Sequence, residues 1–132
     1  MSTLTPSKCI TIQQAEDLQN NWVATREVAI RKAIGKQDTR EFRFSVAELE
    51  QFLAYVKENS TLQGISDPGI RIYFGAYNTD SNPYATVFLA PTKGVSADFD
   101  NNYTILPLNK LSGGIPPRIY GLTGIDQNLD DE

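Results

Sequence analysis

Histidine is absent from the sequence, and cysteine occurs once, as Cys9. Histidine is the usual general base near neutral pH and the commonest metal ligand. Its absence excludes Ser-His and Cys-His nucleophile pairs, and with them histidine-based zinc and non-haem iron sites. A single cysteine excludes all-cysteine zinc sites, four-cysteine iron–sulfur clusters and an internal disulfide. The chain therefore reads as a protein of a reducing compartment. Long apolar runs are missing too. No stretch approaches the ~18 apolar residues of a membrane helix, and Lys8 with its polar neighbours interrupts "MSTLTPSKCITIQQAED", so no signal-type run opens the sequence. The expected location is the cytoplasm, with no membrane partner.

Charge of one sign is scarce as well. The formal net charge is -4, from 12 basic and 16 acidic residues. Asp126, Asp130, Asp131 and Glu132 supply four of those 16, which leaves 12 acidic against 12 basic residues elsewhere. A neutral body with a short acidic end carries no electrostatic footprint for nucleic acid. The stretch 126–132 is expected to be a frayed, solvated tail.

What is present is ordinary globular usage, 40% hydrophobic and 21% charged. The length of 132 residues fits a single domain over 1–132 with one core. After a loose lead-in over 1–10, Thr11 and Gln14 stand at capping-box spacing. Ile12, Ala15, Leu18, Trp22, Ala29 and Ala33 follow at helical steps, with Arg26 at the edge of the stripe and its stem covering apolar surface. Gly35 is a natural stop, so the pattern predicts one helix over 12–34. "TREFRFS" is a short strand with Phe42 and Phe44 on one face and Arg43 on the other. Ser45 and Glu48 make a second capping box before the stripe Val46, Leu49, Phe52, Leu53 and Val56.

Three strands are then predicted: 70–74, 84–90 and 102–108. "NTDSNP" is the turn between the first two, and Pro107 puts the third at an edge or an end. The end of the chain is rich in glycine and proline and is predicted to be mostly irregular, with 118–120 a short strand and Gly113–Gly114 a turn. The fold class is α+β: two amphipathic helices packed on one face of a mostly antiparallel sheet of about four strands, in the order α-β-α-β-β-β. The pattern "FRFSVAELEQFLAYVKE" followed by "GIRIYFGAY" resembles a group of small uncharacterised bacterial proteins, chiefly from Bacteroidetes. The resemblance covers 40–77; it implies a bacterial α+β domain and no chemistry.

Few motifs point to chemistry. "DFDNN" over 98–102 begins like a calcium loop, but Tyr103 stands where glycine is needed and Asn109 where a bidentate carboxylate is needed. Asp98 and Asp100 form no convincing acid–base pair. Asn59 and Asn102 begin glycosylation-type triplets that mean nothing without export. Cys9 beside Lys8 has no base to activate it. No cofactor and no metal site is expected. The tripeptide Arg-Ile-Tyr at 71–73 recurs at 118–120, a coincidence expected of a chain this long.

The strand faces carry the strongest hint. If Ile70, Ile72, Phe74, Ala85, Val87 and Leu89 face the helices, the other face presents Arg71, Tyr73, Tyr84, Thr86 and Phe88, joined by Arg43. Half of that face is aromatic, so something is expected to cover it. The candidates are the chain after Asn109, a second copy of the protein, or a ligand in a cleft. Two functions follow. One is a non-enzymatic interaction domain with a protein partner, or a homodimer through the aromatic face. The other is a small-anion binder or histidine-free enzyme in which Arg71 forks onto a carboxylate or phosphate and Tyr73 stacks or donates a hydrogen bond.

Overall fold

The computed structural model describes residues 4–96, 98–110, 112–113 and 119–121. The chain divides into two compact units, Met1–Asp38 with Ile115–Glu132, and Thr39–Gly114.

In the first unit, helix α1 spans Ile12–Ala24 and helix α2 spans Arg26–Ile34. The capping box at the start of α1 forms as expected. The Gln14 amide N–H donates to Thr11 Oγ1 at 3.0 Å, and the Thr11 N–H donates to Gln14 Oε1 at 2.9 Å. Gly35 closes α2 in the left-handed region, φ 73°, its N–H bonded to the Arg31 carbonyl at 2.8 Å. The single helix predicted over 12–34 is broken at Thr25, whose backbone leaves the helical region at φ -121° and ψ -73°. The Thr25 hydroxyl donates to the Asn21 carbonyl at 2.6 Å, and its N–H reaches the nearer Trp22 carbonyl. Such a hydroxyl competes with the backbone for helix bonds. Ile12 and Leu18 on the expected stripe are 55% and 62% exposed, and α2 buries Glu27, which accepts from Gln37 Nε2. Ile119 and Tyr120 form no strand; the Gln19 side-chain amide bonds both the N–H and the carbonyl of Tyr120. Arg118, most of the glycine-proline stretch and the acidic tail lie outside the described residues.

The second unit carries the core. Strand β1 is Phe42–Arg43, helix α3 is Val46–Leu62, strands β2 and β3 are Gly69–Ala76 and Ala85–Thr92, and strand β4 is Ser112–Gly113. The α+β class with small antiparallel sheets stands. The finer arrangement differs: β1 pairs with β4 and β2 with β3, as two two-stranded sheets instead of one sheet of four. Gly113 therefore sits in a strand and not a turn, and Gly114 lies outside the described residues. The expected strand over 102–108 joins β3 only through isolated bridges, Leu89 with Leu108 and Thr92 with Asn101. Asn102 is the reason. Its side-chain oxygen takes the Thr104 N–H and its carbonyl takes the Ile105 N–H, a local turn in place of a ladder. Pro107 has no N–H to pair.

Phe52 and Val56 of α3 meet Val87 and Leu89 of β3, and Ile105 completes the cluster at 2% exposure. Phe42, Phe44, Leu49, Ile70 and Leu108 pack around it. Ser45 and Glu48 start α3 with the predicted capping box, and the two Ser45 hydrogen bonds hold the Glu48 carboxyl below its ordinary value, aided by the charge of Arg43. The core is centred on β3, with β2 on one side and 105–108 on the other. Ile72 and Phe74 share a sheet face with Leu89 and Val87 by register, yet they are 66% and 79% exposed. They are not buried under helix as predicted; of the three apolar β2 residues only Ile70 packs against the core that α3 forms with β3. The β2–β3 pairing continues without a bulge through Gly75 to Ala76.

Gly69 is different. A Cβ there would stand 2.7 Å from Thr92 Oγ1 and 2.9 Å from the Gly94 carbonyl oxygen. Replacement by alanine forces backbone apart, so Gly69→Ala is expected to cost about 1–3 kcal/mol in urea denaturation; no loss would show that this end of the hairpin is looser than described.

Candidate functional site

The alternating stretch 69–76 places Arg71 and Tyr73 on the face of the hairpin away from α3, and the register sets Tyr73 directly opposite Phe88. Their rings stack, 13° between planes and 5.1 Å between centroids. Aromatic pairs at this offset add to the area they bury.

The chain that follows β3 folds back along the open edge of that strand. Lys93 N–H donates to the Asp100 carbonyl at 2.9 Å, and Asn102 N–H donates to the Pro91 carbonyl at 2.8 Å. Arg71 reaches across the hairpin to fasten the segment: Nη1 donates to Asn101 Oδ1 at 2.6 Å, and Nη2 donates to the Phe99 carbonyl at 3.0 Å. Asn101 passes the contact on, its Nδ2 donating to the Tyr73 hydroxyl oxygen at 2.8 Å. On the far side, Gln63 at the end of α3 closes a ring of side chains. It accepts from Asn102 Nδ2 at 2.7 Å and donates to Thr104 Oγ1 at 2.8 Å, and the Thr104 hydroxyl returns to Asn102 Oδ1 at 2.7 Å. Leu106 N–H donates to the Tyr55 hydroxyl, and Asn109 Nδ2 donates to the Val87 carbonyl. The returning segment thus runs beside β3 and brings Asn101 to the edge of the aromatic face; the chain after Asn109, expected to cover that face, lies mostly outside the described residues.

A cleft of about 330 Å³ lies here, walled on the sheet side by Tyr73, Phe88 and Ala90 and on the loop side by Asn101, Tyr103 and Pro107. Its volume sits at the small end of ligand pockets, and its surface is mostly apolar with a few polar groups, the usual composition of such pockets. Tyr103 at its mouth is 86% exposed. The Asn101 hydrogen bond, and after it the neighbouring Arg71, draw the Tyr73 phenol below its ordinary value. No cluster of three or more His, Cys, Asp or Glu that could hold a metal ion occurs among the described residues.

Of the five residues singled out in the sequence, Arg71, Tyr73 and Phe88 come together here. Arg71 puts two of its N–H groups on the loop and also acts directly on the Tyr73 phenol. Arg43 pairs in β1 with Ser112 and acts on Glu48, and Tyr84 lies at the turn end of the hairpin, where its carbonyl takes the Tyr77 N–H. Neither lines the cleft. Asn101, Tyr103 and Pro107 are site residues that sequence reasoning left in a turn and an edge strand. The one signal was the density of side-chain amides and hydroxyls over 101–104, which bond their own backbone and turn the chain back. The chain matches no known family, no curated protein and no solved structure.

Replacing Arg71 by methionine keeps the stem and removes the fork. Amide hydrogen exchange at Lys93 and Asn102 is expected to speed up at least ~tenfold, while the β2–β3 ladder keeps its protection. Equal protection at Lys93 and Asn102 in both proteins would show that Arg71 does not hold the segment.

Proposed function

We propose that the chain is a non-enzymatic binding domain that takes a small, ring-bearing ligand in the cleft between the Tyr73–Phe88 pair and the returning segment. The observation that carries this reading is the cleft itself: about 330 Å³, open at Tyr103, aromatic on its sheet side and fastened by Asn101. Stacked rings offer a flat apolar wall, and a fixed amide and phenol offer orientation. A non-enzymatic role rests on the missing histidine and on the lack of any acid–base pair in the lining. The reading places the domain in a bacterial cytoplasm, on its single cysteine and on the resemblance of 40–77 to the Bacteroidetes group.

A second reading rests on the rim. Val95, Phe99, Tyr103 and Leu106, all from the returning segment, are 69%, 50%, 86% and 70% exposed. Apolar exposure gathered on one segment suits contact with a protein, including a second copy of this chain. Sedimentation velocity distinguishes the two: self-association that weakens in Tyr103→Glu or Leu106→Glu supports the dimer, and a monomer at every concentration removes it.

The ligand reading is tested by a fragment screen watched by protein NMR. Ring-bearing fragments are expected to shift the Tyr73, Phe88 and Asn101 signals. Tyr103→Ala, exposed enough to change without loss of stability, is expected to weaken them about three- to tenfold. Fragments that bind elsewhere, or none at all, would count against it.

A further inference from the structure

Resting on that reading, we infer that the cleft selects a planar ring carrying a carboxylate, with the Tyr73 hydroxyl as the group that reads the acid. Hydrogen-bond direction decides which group Tyr73 offers. Arg71 can only donate, so the Asn101 atom it meets at 2.6 Å is fixed as the amide oxygen. The Asn101 nitrogen is then left facing Tyr73, and it donates to the phenol oxygen at 2.8 Å. Both steps run the same way, from the guanidinium through the amide to the phenol. The phenol oxygen already accepts, so its own hydrogen is the group it has to offer. Asn101 uses one N–H on Tyr73 and keeps the second.

Both polar groups that end this relay are therefore donors, and a donor pair calls for an acceptor. The positive charge of Arg71 stands at the head of the relay and strengthens each successive donation toward an anion. Its effect on Tyr73 is in the same direction, favouring the charged phenolate and so a more acidic O–H. No Asp or Glu lines the cleft. Asp98 and Asp100 belong to the same segment, but both are exposed and neither is part of the lining. The apolar part of the ligand is set by the Tyr73–Phe88 wall with Pro107, which accepts a flat ring more readily than a branched chain.

Three probes of one shape test this: benzoate, benzamide and benzamidine, titrated into the full chain at neutral pH and followed by the side-chain signals of Asn101 and Tyr73. Benzoate is expected to bind about tenfold or more tighter than benzamidine, with benzamide between them. In Tyr73→Phe the benzoate preference is expected to fall to about twofold or less while benzamide still binds. Benzamidine binding as tightly as benzoate, or a preference unchanged in Tyr73→Phe, overturns the inference and leaves the cleft as a ring site. Failure of all three probes to bind overturns the ring-site reading and this inference with it.

Discussion

The fork of Arg71 onto Asn101 and Phe99 is the contact on which the candidate site depends. A guanidinium is planar and presents its donors in fixed directions, so two bonds to one segment set both its distance and its tilt. A lysine would supply charge without that geometry. With the fork in place, the Asn101 amide has one orientation, the Tyr73 oxygen faces donors from Asn101 and Arg71, and the stacked Tyr73–Phe88 pair becomes the wall of a cleft. The stretch "GIRIYFGAYN" thus contributes to the site twice, through a residue that binds the loop and a residue that faces the space beneath it.

The returning segment serves the core and the site together. Ile105 is buried among Phe52, Val56, Val87 and Leu89, and Leu108 bridges to Leu89. Between and beside them, Asn101, Tyr103 and Pro107 line the cleft. The same backbone is fixed from one side by apolar burial and from the other by Arg71. A buried aliphatic of this kind resists displacement by a few kcal/mol, so the cleft has a rigid edge although it is built on a loop. The Gln63, Asn102 and Thr104 ring adds a polar clasp in which Asn102 is 3% exposed and satisfied.

Legibility in the sequence followed the range of the interactions. Both capping boxes, the Gly35 stop and the Thr79–Asn82 turn are local, and each is readable from spacing; of the predicted α3 stripe, Phe52 and Val56 are buried, while Val46 and Leu53 are 73% and 42% exposed. The end of the first helix is invisible in a periodic pattern, where a threonine at position 25 looks neutral, although its hydroxyl takes the carbonyl of Asn21 at the point where the helix ends. The alternation of Ile70, Ile72 and Phe74 gave the correct face and the wrong burial, since period two says which residues share a side and nothing about where the helix above them ends. Arg71, Tyr73 and Phe88 were found because an aromatic sheet face is unusual. Asn101 was not, because its role comes from a chain reversal that brings it back over the hairpin, thirty residues beyond Arg71.

The central claim is that Asn101 sits between Arg71 and Tyr73 and so closes the aromatic face into a cleft. Nuclear Overhauser contacts from the Asn101 side-chain amide measure this in solution. The account predicts strong cross-peaks from that amide to the Tyr73 ring. Their absence, with the Asn101 amide seen only near its own neighbours in sequence, would contradict it.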